Sequence, residues 1–293
     1  MKRSLMSAAA FLAATLAGLA VADDAAATHT DQASILAEVE AGTPMRMIYE
    51  LEAKAYILFI PATGKAKFDV QMRDSDYVID SRVKVTGIAD WFVNYDMNIQ
   101  ARGYTRSDHL KSYSYNSQNR DGKKNRRVKI KFLNDAFEME ANPRFGNLGD
   151  PAATVEQVME TNDPITALIT FALEPRMPGA DPCGSPLKIF DGRQLTHLHL
   201  KNAGMKNIKT PAWKGEAIEC HITMDKVAGY KTGESDNDNL TGIDGPLRMW
   251  LAPLSNGTTV PVKIQADSEK IGKVTLQAKK LRFEPIVEDS ANE

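Results

Sequence analysis

The sequence predicts a mainly β fold, a large antiparallel sheet that curls into an open barrel or β-spiral with two short inserted helices. Three observations lead there. Apolar and polar residues alternate at period two through most of the chain after Met45. The connections between these runs are short and polar, as in a meander of hairpins. Only the stretch near 152–174 carries apolar residues at helical spacing.

Met47, Tyr49, Leu51, Ala53, Ala55, Ile57 and Phe59 share one parity, with Glu50, Glu52 and Lys54 on the other, so a half-buried strand is predicted. A turn at Thr63-Gly64 is expected next, then strands through Ala66–Met72, Tyr77–Val85 and Val93–Ala101. Tyr113 and Tyr115 share a parity and are expected on one face, followed by strands at Val128–Phe132 and Phe137–Met139. Asn119 to Arg127 holds Gly122 and five basic residues, the composition of a charged hairpin tip or of a contact with anionic lipid.

Asp150-Pro151 and Asp163-Pro164 each place a capping side chain before a proline, so helices are predicted near 152–160 and 164–174. In the second, Ile165, Leu168, Ile169 and Ala172 form an apolar stripe that should lie across the sheet or plug one end of it. Strand patterns return at Leu187–Phe190 and, after the hairpin dipeptide Asp191-Gly192, at Arg193–Lys201. Further strands are expected at 216–226, 246–253, 258–267 and 272–284. Ten or more strands exceed what an open twisted sheet comfortably holds, hence the expected curl.

Met1-Lys2-Arg3, the apolar run from Leu5 to Val21 and the small residues Ala20-Val21-Ala22 have the three parts of a signal peptide, 1–22, with cleavage after Ala22. The rest is read as a flexible segment over 23–43 with a short helix around Ser34–Glu40, one curled β domain over 44–284, and an acidic tail over 285–293. Without Lys2 and Arg3 the chain has 34 basic and 38 acidic side chains, which argues against a nucleic-acid binder. The expected location is the periplasm.

Cys183 and Cys220 are the two cysteines, so one intramolecular disulfide is available, and an exported chain should form it. Asp181, Asp191 and Arg193 would make a paired-carboxylate site, but Asp181 precedes Pro182 and Asp191 precedes Gly192, so structural turns are the simpler reading of all four positions from Asp181 to Arg193. His197 and His199 share a strand face, and His221 with Asp225 could run alongside; these residue types suit zinc, but solvent-facing histidines are the simpler reading. Trp91 and Trp250 are candidates to line a cavity, with core packing the alternative. Gly146-Asn147-Leu148-Gly149 lacks the basic residue of a nucleotide loop, and no serine-nucleophile or metalloprotease motif is present. No cofactor and no metal is expected.

The run from Lys188 to Arg193 (Lys-Ile-Phe-Asp-Gly-Arg), with Asp181-Pro182-Cys183 before it and Cys220 and Gly229-Tyr230 after it, resembles a bacterial envelope family known as domain of unknown function 3108. Matching elements at 87–91, 163–168, 249–252 and 259–264 extend the likeness along the chain. Gln194 and Leu195 depart from the basic and aromatic residues that the family carries after Asp-Gly-Arg. The resemblance implies an exported, curved antiparallel β protein, similar by looser analogy to lipoprotein carriers that hold acyl chains or partner surfaces in a concave sheet. The leading expectation is therefore a non-enzymatic envelope protein binding a lipid or lipoprotein segment. A filled-core scaffold acting on envelope protein partners is the alternative, and a metal-dependent hydrolase the third reading. Peripheral membrane contact fits the first two.

Overall fold

In a computed structural model the chain is described over residues 34–57, 60–86, 96–120, 125–177, 179–231, 247–255, 257–268 and 272–287. Thirteen strands form one antiparallel sheet. They are β1 (Met45–Ile57), β2 (Ile60–Met72), β3 (Asp76–Thr86), β4 (Asp96–Thr105), β5 (Leu110–Asn119), β6 (Arg127–Phe132), β7 (Phe137–Asn142), β8 (Leu187–Phe190), β9 (Leu195–Lys209), β10 (Lys214–Ala228), β11 (Leu247–Pro253), β12 (Thr259–Ser268) and β13 (Gly272–Pro285). Among the described residues three helices accompany them: α1 (Ile35–Glu40), α2 (Val155–Met159) and α3 (Pro164–Leu173).

The strand order is a meander in which the first and last strands pair, β1 against β13 from Met45↔Pro285 to Lys54↔Thr275. That pairing leaves β7 and β8, which flank the helical insertion in sequence, as the two edges of the sheet. The edges nevertheless meet. The Phe137 and Phe190 rings pack edge to face with centroids 5.4 Å apart, and Gly192 lies against Val128, so close that a Cβ there would come within 2.6 Å of it. The sheet is thus curled but not closed by a ladder.

Alternation places the core as expected. Met47, Tyr49 and Leu51, then Ala66, Phe68, Val70 and Met72, then Tyr77 and Ile79 are buried on one face, and Val128, Ile130 and Phe132 continue it. Three departures have local causes. Thr63-Gly64 is no turn: the β1–β2 register runs unbroken to Ile57↔Ile60, which puts Gly64 opposite Ala53 inside the hairpin. Tyr113 is exposed although Tyr115 is buried, because the ladder passes from Arg102↔Ser114 to Gly103↔Ser112 and leaves Tyr113 as a bulge. The return strand after Asp191-Gly192 runs past Lys201 to Lys209, paired with β10 on either side of a register shift at Ala203-Gly204.

α1 is docked, with Ile35, Leu36 and Val39 in the core, so the flexible segment expected over 23–43 does not hold from Ser34 onward; residues 1–33 lie outside the described ones. At the other end Ile286 donates its amide to Pro44, so the expected tail from 285 is tied down at its start. Residues 288–293 lie outside the described ones.

Asp163 caps α3 as predicted, accepting from the amides of Ile165 and Thr166 at 3.0 Å each, with Pro164 in the first helical position. The other predicted cap fails. Thr154 caps α2 in a reciprocal box with Gln157, while Asp150 and Pro151 are bound to the turn at Gly229-Tyr230 through their backbones. α3 is buried around most of its surface, including Ile165, Ala167, Ile169, Phe171, Ala172 and Leu173. It therefore acts as a core element inside the sheet.

The junction that holds it there is polar. Asn162 forms a parallel bridge with Ile189 on the free edge of β8, exchanging backbone bonds with Lys188 at 3.2 Å and Phe190 at 3.0 Å. Its side chain turns to β5, accepting from the Ser112 amide at 2.9 Å and donating to the Leu110 carbonyl at 3.1 Å. The bulge at Tyr113 makes this reachable by turning Ser112 inward, where its hydroxyl meets the Asp163 carboxylate at 2.7 Å. Tyr77 reaches Thr166 with its hydroxyl at 2.7 Å. Its ring passes over Gly103, where a Cβ would come within 2.6 Å of the phenol oxygen.

Burial pushes the Asp163 carboxyl above the usual range, despite its four hydrogen-bond partners. A raised folded-state value means that the native protein holds the proton longer than the unfolded chain. The stability from this group is therefore full below about pH 4, the unfolded value, and is lost as pH rises through the folded one. Asp163→Asn keeps a capping side chain but cannot ionise. Urea midpoints for the variant should decline less than those of the parent from pH 4 upward; Asp191, whose carboxyl burial also raises, contributes to the slope that remains. Equal slopes would contradict this assignment.

Candidate functional site

The covalent constraint forms as expected. Cys183 and Cys220 are bonded, with Cα atoms 5.9 Å apart, and neither residue is exposed to solvent. Cys183 lies in the turn that leaves the helical insertion, and the Asp181 carboxylate fixes that turn by accepting the Cys183 amide at 2.8 Å. Cys220 lies in β10. Around the bridge, Phe171 of α3 packs with Leu187, Ile218, Ile222, Met249 and Leu251 in a cluster of their own. Arg176 closes the carboxyl end of α3, donating to the Phe171 carbonyl at 2.9 Å with its guanidinium over the Phe171 ring.

Asp191, Gly192 and Arg193 are brought together as a turn. The Asp191 carboxylate accepts from the amides of Arg193 at 2.8 Å and Gln194 at 2.7 Å. Gly192 takes a positive φ of 98° beneath β6. Arg193 donates to the Asn147 side chain at 2.9 Å, and its carbonyl presses on Gly229, where a Cβ would come within 1.8 Å. A side chain at Gly149 would strike Gly229 in turn. The Asp-Gly-Arg run, the Gly146–Gly149 loop and Gly229-Tyr230 are therefore parts of one knot beside the sheet edges. Asp181 serves the disulfide turn instead, so the two carboxylates each hold backbone amides in separate turns.

The histidines do not converge. His197 and His199 share a face with ring centroids 6.4 Å apart, but His199 pairs with Asp225 at 2.7 Å and His221 pairs with Glu219 at 3.0 Å. Burial, with Lys188 and His199 nearby, holds the His197 imidazole below the usual range. Among the described residues no group of three or more His, Cys, Asp or Glu is placed to hold a metal ion. Trp250 is buried, with the Lys263 ammonium 4.6 Å from its ring centre and Glu219 as its cross-strand neighbour. Trp91 lies outside the described residues, as do 121–124 of the basic tip. Of that tip, Arg126 lies over the Phe145 ring and donates to the Pro143 and Arg144 carbonyls.

The larger clefts lie where the sequence suggested only solvent-facing positions. One, of about 610 Å³, crosses β13, β1, β2 and β3 and is lined by Lys65, Lys67, Arg82, Lys84 and Lys279 with Glu50 and Glu52. A second, of about 480 Å³, shares Lys67 and Arg82 and continues to Arg120 and Arg127. Ammoniums of Lys54 and Lys279 hold the Glu52 carboxyl below the usual range although its burial works the other way. Each strand alone shows an ordinary polar parity; the concentration of charge appears only once the register is known.

The model of the family described as protein of unknown function (DUF3108) matches residues 48–279. The chain belongs to the DUF3108 family. The residues that carried the resemblance, Cys183, Asp191 to Arg193, Cys220 and Gly229-Tyr230, are those of the bridge and the knot. No curated protein matches the chain significantly. Among solved structures, a β-barrel-like protein of domain of unknown function DUF1849 from Brucella abortus is 12% identical, with a TM-score of 0.45, covering 83% of this chain and 98% of its own. A DUF1329 family protein from Desulfovibrio piger is 10% identical at a TM-score of 0.29, covering 88% and 90%. A putative outer membrane lipoprotein-sorting protein domain from Vibrio parahaemolyticus is 8% identical at 0.25, covering 83% and 87%. Likenesses at this level carry no argument about what a DUF3108 protein binds.

The bridge closes a loop with a sequence separation of 37 residues, for which chain entropy gives about 4 kcal/mol as an upper estimate. The double variant Cys183→Ser and Cys220→Ser should lose stability up to that amount in urea denaturation. The parent unfolded in the presence of a thiol reductant should match it. Indistinguishable midpoints for variant and oxidised parent would contradict the structural role.

Proposed function

We propose that this DUF3108 protein is a non-enzymatic binding protein of the bacterial cell envelope, that its interior is structural, and that it meets its partner with the outer face of its sheet. The observation that carries this reading is the close packing of the core face among the described residues. Leu36 and Val39 of α1, Met47, Val70 and Ile79 of the sheet, and Ile169 and Leu173 of α3 have no exposed surface. A bound acyl chain would need several hundred Å³ of apolar space, and these side chains occupy the core face where it would lie. The clefts of that size described above are lined chiefly by charged and polar residues.

Export rests on the Met1–Ala22 pattern and is supported by the Cys183–Cys220 bridge, which persists best in an oxidising compartment. Among the described residues no helix is long and apolar enough to cross a membrane. No catalytic role is assigned to Asp181, Asp191, His199 or His221, since each is engaged with a backbone amide or a neighbouring carboxylate.

Native mass spectrometry of the protein purified from the periplasm, with lipid extraction of the same sample, tests this reading. The expected result is the apo mass of a chain beginning after Ala22. A stoichiometric acyl species would overturn it and restore the concave face as the binding site.

A further inference from the structure

β2 and β3 bring like charges face to face. Lys65 stands directly opposite Lys84, and Lys67 directly opposite Arg82. Such cross-strand pairs destabilise a sheet, and opposite charges stabilise it. The same sheet uses the stabilising arrangement elsewhere: Lys129 faces Glu140 and Lys131 faces Glu138, each in an ion pair at 3.6 Å. Asp69 and Asp80 also face one another, but Arg46 answers the first through a pair of hydrogen bonds and the Gln100 amide answers the second at 2.8 Å. Arg82 is likewise answered by Asp96 at 2.8 Å. Lys65 and Lys84 form no direct hydrogen bond or ion pair with a described residue, although Glu52 stands opposite Lys65 on β1 and Asp96 stands opposite Lys84 on β4.

These ammoniums line the cleft of about 610 Å³, where five cations stand against two carboxylates. Glu52, one of those two, is already held between Lys54 and Lys279. The local excess is positive on a chain whose formal net charge is −2, and it continues through Lys67 and Arg82 to Arg120 and Arg127. Lysines two residues apart on a strand are about 6.6 Å apart, and neighbouring strands about 4.8 Å. The cations are therefore spread over the outer face of the sheet as separate point charges. That geometry suits a plane of phosphates better than one enclosed anion, for which forked guanidiniums in a closed site are the usual solution.

We propose that this cationic face of β13, β1, β2 and β3 docks onto the phosphate headgroups of an anionic phospholipid surface. The proposal deepens the reading that the protein works through its outer face.

The test is sedimentation of the full mature protein with vesicles. It should bind vesicles containing phosphatidylglycerol and not those of phosphatidylcholine alone, and binding should fall away toward about 0.5 M salt, where charges are screened. Neutralising two lysines by Lys65→Gln and Lys84→Gln should weaken binding about thirty-fold, equivalent to about 2 kcal/mol at roughly 1 kcal/mol per cation near such a surface. Lys206→Gln with Lys209→Gln, the same charge change on the β9–β10 hairpin, should leave binding unchanged. Equal sedimentation with both vesicle types would overturn the proposal, and so would undiminished binding by the variant. Binding of inorganic phosphate with none to vesicles would overturn it as well. An acyl species in the native mass spectrum would refute the filled interior while leaving the vesicle result to stand alone.

Discussion

Everything in this fold leans on the way Asn162 and Asp163 join the free β8 edge to β5, the third strand from the opposite edge of the same sheet. β7 and β8, separated in sequence by the helical insertion, do not pair with each other, so the sheet keeps two edges, and an exposed edge is both an energetic loss and a template for unwanted pairing. Asn162 gives the β8 edge two backbone partners and fixes its own side chain to β5. Asp163, the next residue, starts α3 and takes the Ser112 hydroxyl. One dipeptide thus covers an edge, begins the central helix and ties the two halves of the curl together. Buried polar groups that are fully paired specify a single arrangement, because any slip would leave several of them unpaired.

The surrounding features make that contact reachable. The Tyr113 bulge rotates Ser112 inward, and Gly103 clears a path for Tyr77 to reach Thr166. Lys111 extends to the Met159 and Thr161 carbonyls at 2.9 and 3.3 Å, closing the carboxyl end of α2. The disulfide then fastens the exit of the insertion to β10, while Gly192 lets the β8–β9 turn sit beneath β6. With the interior committed to this packing, the chemically diverse part of the molecule is its outward face.

Much of this was legible in the amino-acid order because alternation reports burial one strand at a time. β10 to β13 are read that way, while the Asp163 cap is read from the proline that follows it and the bridge from the presence of two cysteines. What failed depended on partners distant in sequence. Thr63-Gly64 looks like a turn until its pairing with Ala53 and Lys54 is known, and Tyr113 looks like a core residue until the bulge is counted. Asp150-Pro151 has the form of a helix start, yet its backbone is used by Gly229 and Tyr230. Asn162 is an unremarked polar residue before a cap, and its partners lie near 110 and 189. Lys65 and Lys84 are each ordinary solvent-side lysines, and only the β2–β3 register sets them against one another.

Native-state hydrogen exchange tests the central role of the Asn162–Asp163 junction most directly. The Ser112 amide donates to the Asn162 side chain and the Phe190 amide to its carbonyl. If the junction holds the curl together, both should exchange only by global unfolding, with the same opening free energy as the most protected amides of the β1–β13 ladder. Exchange of Ser112 and Phe190 through a smaller local opening, while that ladder stays protected, would show that the helical insertion detaches from an intact sheet and would contradict the account.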